Sequence, residues 1–172
     1  MGKTDYQLGV VRYKDFEVEY AMRGSSVYQQ TLNLTSEEKL RLAQLLDENY
    51  HPSNRTYRYN YFYDNCTTRA RDKIEESLNG KLCFPEQKAA LSYREIIHLF
   101  TKGSQWNELG IDLCLGAEAD KPIDERKQMF APFFLMDYAR DAVIQRIDGT
   151  VPFVLNESKV VDVESEEAST SF

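Results

Sequence analysis

Histidine and cysteine are scarce in this chain. Its 172 residues hold two of the former, His51 and His98, and three of the latter, Cys66, Cys83 and Cys114. The cysteines stand too far apart for a zinc knuckle or a Cys-x-x-Cys redox pair. Neither histidine has a second histidine or a close carboxylate at the spacing of a helical metal site. Metal and dithiol chemistry are therefore disfavoured, and no metal ligand is assigned. The eight glycines form neither a phosphate-binding loop nor a dinucleotide fingerprint, so no cofactor is expected. No window approaches the roughly 20 consecutive apolar residues of a membrane-spanning helix, and the start Met1-Gly2-Lys3-Thr4-Asp5 carries no apolar signal-peptide core. Positive charge is in deficit too: 21 Lys plus Arg face 28 Asp plus Glu, a net charge of -7 that repels phosphate backbones. Nucleic acid is not an expected partner.

What is present suffices for one domain, with 42% hydrophobic and 12% aromatic residues to build a core. Tyr6–Arg12 reads as a short strand, and KDFEVEYAMRG as a helix stopping at Gly24. SSVYQQTLNL reads as a second strand ending near Leu34. Thr35 with Glu38 forms a capping box for a helix whose apolar face is Leu42, Leu45, Leu46 and Asn49, ended by His51-Pro52. In RTYRYNYFYDNC the tyrosines alternate, which predicts an extended segment. After Asn65 the period becomes helical through Cys66, Ala70, Ile74 and Leu78, with a stop at Asn79-Gly80. Ser92 with Glu95 caps a helix burying Tyr93, Ile96, Ile97 and Phe100, with His98 on the opposite side. A further helix is expected over 104–115, then a polar connector. A last long helix follows, starting near Pro132 and continuing through Ala142 and Val143. VPFVL reads as extended. These elements predict an α+β fold with a small antiparallel sheet and several helices, one domain over 1–155, and an acidic, flexible tail over 156–172.

The segment Asn65-Cys66-Thr67-Thr68 carries the chemistry. A thiol in the first helical turn, behind a residue able to cap, faces unpaired backbone N–H groups and the positive end of the helix dipole. That arrangement favours the thiolate. Arg58, Arg69 and Arg71 add positive charge for a thiolate or an oxyanion, or pair with Asp64 and Asp72 instead. Two readings of Cys66 stay open, a nucleophile and a packed core residue on the stripe of Ala70 and Ile74. Thr67, Arg69, Tyr59 and Tyr61 are the candidates for substrate or oxyanion contact, against a packing role for the tyrosines. His51 reads as a helix-terminal histidine. His98 reads as solvated, with the role of substitute base open to it. Cys83 and Cys114 read as core residues, or as a disulfide that leaves Cys66 free.

The string YRYNYFYDNCTTRARD, with YQLGVVRYKDFEVEY and LNLTSEEK before it and WNELGIDLCLGAEAD and MFAPFFLMDYARDA after it, resembles the Lnb N-terminal periplasmic domain family. The likeness runs from about Tyr6 to Leu155. It is similar to lipoprotein N-acyltransferases of the Lnb type, and its Asn-Cys segment to the nucleophile helix of circularly permuted NlpC-like and papain-like cysteine enzymes. The resemblance implies that Cys66 is the nucleophile of an acyl transfer through a thioester, and that Asn65 shapes its turn. It implies lipoprotein, lipid or peptide substrates near a membrane, in the periplasm or cell envelope. A cysteine peptidase or peptidoglycan amidase and a non-catalytic envelope binding domain are the alternatives. The family's histidine stands upstream in a Phe-Gly-His stretch that this sequence lacks. The expectation is therefore a fragment truncated at its N-terminus, of low activity by itself. Oligomeric state is not legible here.

Overall fold

Three side-chain caps set where the main helices begin. Thr35 opens α2 (Ser36–Tyr50): its hydroxyl accepts from the Glu38 N–H at 3.2 Å while the Glu38 carboxylate accepts from the Thr35 N–H at 2.7 Å. Asn65 opens α3 (Cys66–Ser77), and Ser92 with Glu95 makes the same reciprocal pair at the start of α4 (Tyr93–Thr101). Each motif satisfies amide donors that a helix start leaves unpaired. The computed structural model describes residues 4–86, 89–101 and 115–163.

Around these helices run β1 (Thr4–Gln7), α1 (Tyr13–Met22), β2 (Val27–Leu32), β3 (Thr56–Tyr59) and β4 (Lys81–Cys83). A 3-10 turn follows at Ala117–Asp120. Then come α5 (Glu125–Gln128), α6 (Pro132–Arg140), β5 (Val143–Arg146), β6 (Gly149–Pro152) and β7 (Val154–Val161). The strands form three small antiparallel sheets, β1-β3, β2-β7 and β4-β5-β6. The architecture is α+β.

Several expectations need correction. The first strand spans Thr4–Gln7 and does not reach Arg12, although the Leu8 N–H still pairs with the Arg55 carbonyl at 2.8 Å. The tyrosine alternation makes a strand only through Tyr59. Asn60 then turns the chain, its side-chain oxygen accepting from the Phe62 and Tyr63 N–H groups at 3.1 and 3.2 Å. That turn sends Phe62 into the core and leaves Tyr61 and Tyr63 exposed. On α2 the fully buried side chain is Glu38, while Leu46 is exposed. The last helix ends at Arg140, and Val143 begins β5, because Ala139 and Ala142 continue the helical spacing while packing into one core across a turn. Residues 156–161, assigned by composition to the tail, are paired with β2 in β7. The rest of that tail, 164–172, lies outside the described residues, as do nearly all of the helix expected over 104–115, Cys114 and hence any Cys83–Cys114 bridge.

Two apolar clusters hold the elements together. One joins Phe62, Tyr93, Ile96, Ile97, Phe130 and Ala131 at the N-terminal end of α3. The other joins Leu78, Ala139, Ala142, Ile144 and Phe153 at its C-terminal end.

Candidate active site

Asn65 is the fixed point of the site. It is 4% exposed, and its side-chain oxygen accepts from the N–H groups of Thr67 and Thr68, both at 2.9 Å. Its amide nitrogen donates to the Tyr61 and Phe130 carbonyls, again both at 2.9 Å. The Thr68 hydroxyl closes the capping box by accepting from the Asn65 N–H at 2.9 Å. The turn from β3, the first turn of α3 and the approach to α6 are thereby fixed to one carboxamide.

Cys66 follows at the first helical position with its residue exposed to solvent. It opens on a cleft of about 330 Å³ whose walls come from β3 and its turn (Tyr59, Tyr61), from α4 (Ile97, Phe100, Thr101) and from the segment Phe130–Phe133. No charged side chain and no histidine stands on the described wall. Because Asn65 occupies the Thr67 and Thr68 amides, the Cys66 N–H is the first-turn donor with no acceptor among the described residues. The Thr67 N–H is thus occupied by the cap, and the Cys66 N–H is left open toward the cleft.

Tyr59 stacks on Tyr6 with ring centroids 4.2 Å apart. Burial first, then the neighbouring Cys66 sulfur and the surrounding phenols, pushes the Tyr59 hydroxyl up to about 12, and burial likewise raises Tyr57. The Tyr59 hydroxyl is therefore protonated at neutral pH. Tyr61 lies edge-on to Phe62 and Phe130 at the rim and is half-exposed.

The arginines take the paired arrangement. Arg69 binds Asp64 through two hydrogen bonds of 2.6 and 2.8 Å and lies 3.6 Å over the Tyr57 ring. This brace joins residues on either side of Cys66 in the sequence, and the Asp64 hydrogen bonds raise the Arg69 guanidinium above its ordinary value. Arg71 is buried, donating to Asp72 and to the Arg126 carbonyl. Arg58 is exposed on β3, opposite Asp5 of β1. His98 lies on α4 between wall residues but is not itself on the wall. His51 caps the end of α2, its Nδ1 2.9 Å from the Ser53 hydroxyl. The structure thus groups Asn65, Cys66, Thr67, Tyr59 and Tyr61, and leaves both imidazoles off the cleft wall. The sequence reading missed the α4 and Phe130–Phe133 walls. The aromatic run flanking Pro132 was the available signal: Phe130 is buried in the core while Phe133 is exposed, so the run passes from core to cleft wall at the start of a helix.

Comparison with known families matches residues 1–98, more than half of the chain, to the Lnb N-terminal periplasmic domain. No curated protein and no solved structure matches the chain. Among the described residues no helix is long and apolar enough to cross a membrane.

Proposed function

This chain belongs to the Lnb N-terminal periplasmic domain family, a membership that supports a periplasmic or envelope location, and on that premise we propose that it is a cysteine acyltransferase working through a thioester on Cys66. One juxtaposition supports the reading: an exposed thiol in the first turn of α3 faces a cleft with uncharged, largely apolar walls. A hydrocarbon chain gains about 25 cal/mol for each Å² of apolar surface it buries there. A charged peptide finds no ion-pair partner on the same wall, which favours acyl groups over the peptidase and amidase alternatives. Half-exposed Tyr61, Phe100 and Phe133 rim the mouth, an aromatic composition suited to a membrane interface and to lipid or lipoprotein substrates.

In the proposed reaction the deprotonated Cys66 sulfur attacks the carbonyl carbon of a bound ester. The C–S bond forms, the C–O bond to the leaving alcohol breaks, and the alcohol takes up a proton. The Cys66 N–H and the Tyr59 hydroxyl donate to the oxygen on which negative charge develops. An amine then opens the thioester to an amide and restores the thiol; water in its place gives the acid. The described wall holds no imidazole or carboxylate to accept the thiol proton. That role falls to solvent or to a group outside the described residues.

The test is incubation with p-nitrophenyl octanoate followed by peptide mass mapping. The expected result is an octanoyl adduct on Cys66, absent in Cys66→Ala and absent from Cys83, with a rate that rises on adding imidazole as an external base. A folded wild-type chain that forms no adduct at Cys66 with imidazole present overturns the reading and leaves a binding domain.

A further inference from the structure

Resting on the thioester reading, we infer that the Cys66 cleft continues into a second apolar hollow that receives the distal part of a long acyl chain, with Phe133 as the partition between the two. The second hollow holds about 420 Å³ between α1, β2, α3 and α6, walled chiefly by Phe16, Tyr20, Val27, Tyr28, Leu135 and Met136. It shares Thr67, Pro132 and Phe133 with the cleft, so a chain attached at Cys66 meets it across a single ridge.

Chemistry selects the occupant. In a chain of net charge -7, no described residue lining this hollow is charged. Two of its polar side chains are already engaged: the Gln30 amide donates to the Met136 carbonyl at 2.8 Å and to Glu157 at 2.9 Å, and the Ser26 hydroxyl exchanges hydrogen bonds with Val163. The rings of Phe16, Tyr20, Tyr28 and Phe133 and the side chains of Leu135 and Met136 make the rest of the wall largely apolar, which suits a hydrocarbon. Size points the same way. The cleft holds about 330 Å³ and the second hollow about 420 Å³, so the two together take a longer chain than either alone.

The partition is built to yield. Phe133 is half-exposed, stacked on Phe100 at 5.8 Å and edge-on to Tyr28 at 6.1 Å, ring contacts that a rotation of one side chain can exchange. The roof is lightly held as well: α1 has no buried residue and is tied to β2 through the Tyr13 hydroxyl on Gln29 at 2.8 Å.

The experiment compares Cys66 acylation by p-nitrophenyl esters of eight and sixteen carbons, read as the ratio of the two rates. Ala70 is exposed on α3 and lines only the second hollow. Ala70→Trp is expected to lower the long-to-short ratio at least tenfold by filling that space, and Phe133→Ala to raise it severalfold by removing the ridge. A ratio unmoved in both variants, with Cys66 still acylated, overturns the second hollow alone. The absence of any adduct from either ester removes the thioester reading and this inference with it.

Discussion

At Asn65 one side chain makes four hydrogen bonds, two as acceptor and two as donor, and so has no capacity left for a substrate. In the proposed reaction its part is to aim the neighbouring thiol. The protic group in that proposed reaction is instead Tyr59, whose hydroxyl stays protonated through the neutral range. Tyr59→Phe is expected to slow ester acylation of Cys66 by about a hundred- to a thousandfold, the scale of losing one oxyanion donor. Alkylation by iodoacetamide builds no oxyanion and is expected to proceed at the wild-type rate. Equal losses in both reactions would mean that Tyr59 only packs. The cap at Asn65 was legible because it is local, a residue and its next three neighbours. The division of labour between Thr67 and Cys66 was not, since it depends on which amides the cap consumes.

Elements are joined by a buried acid. Glu38 is 0% exposed and binds the Thr35 N–H on its own helix, the Asn79 N–H beyond the end of α3 and Arg146 at 2.6 Å on β5. Burial by itself would raise this carboxyl, but the Thr35 and Asn79 amides, the Arg146 charge and the Thr35 hydroxyl outweigh it and hold the group below its ordinary 4.5. A depressed native value means that the acid stabilises the fold above about pH 4.5 and that this contribution is lost as pH falls through the native value. Glu38→Gln leaves Arg146 charged without its partner and is expected to cost about 3 kcal/mol at neutral pH. Urea titrations of wild type and variant should converge as the solution is acidified. A gap independent of pH would assign the loss to packing. Sequence spacing showed Glu38 as half of a capping box and nothing more, because Asn79 and Arg146 come from distant positions. The same limit hid β7: Val154 to Val161 alternates weakly under an acidic composition, and its partner β2 lies more than a hundred residues earlier.

On the scale of the molecule, the two apolar clusters divide the work. The Cys66 cleft shares Ile97, Phe130 and Ala131 with the first cluster and no residue with the second. Ile96→Ala, in the first, is expected to cost about 3 kcal/mol and to slow acylation per folded molecule. Ile144→Val, in the second, is expected to cost about 1 kcal/mol and leave that rate alone. Thermal melts paired with adduct kinetics check both, and a rate loss in Ile144→Val would show that the clusters act as one body. The α+β class was readable from the succession of periods along the chain. The assembly of three small sheets was not, because every pairing except the β5-β6 hairpin joins strands far apart in the sequence.

The Asn65 amide also has a spectroscopic consequence. Its two protons are held by the carbonyls of Tyr61 and Phe130, both residues of the cleft wall, so they exchange with deuterium more slowly than those of a surface carboxamide. In an amide NMR spectrum this side chain is a long-lived pair of resonances that reports the spacing of the two walls. It registers the arrival of any chain that spreads them, without a label on the ligand.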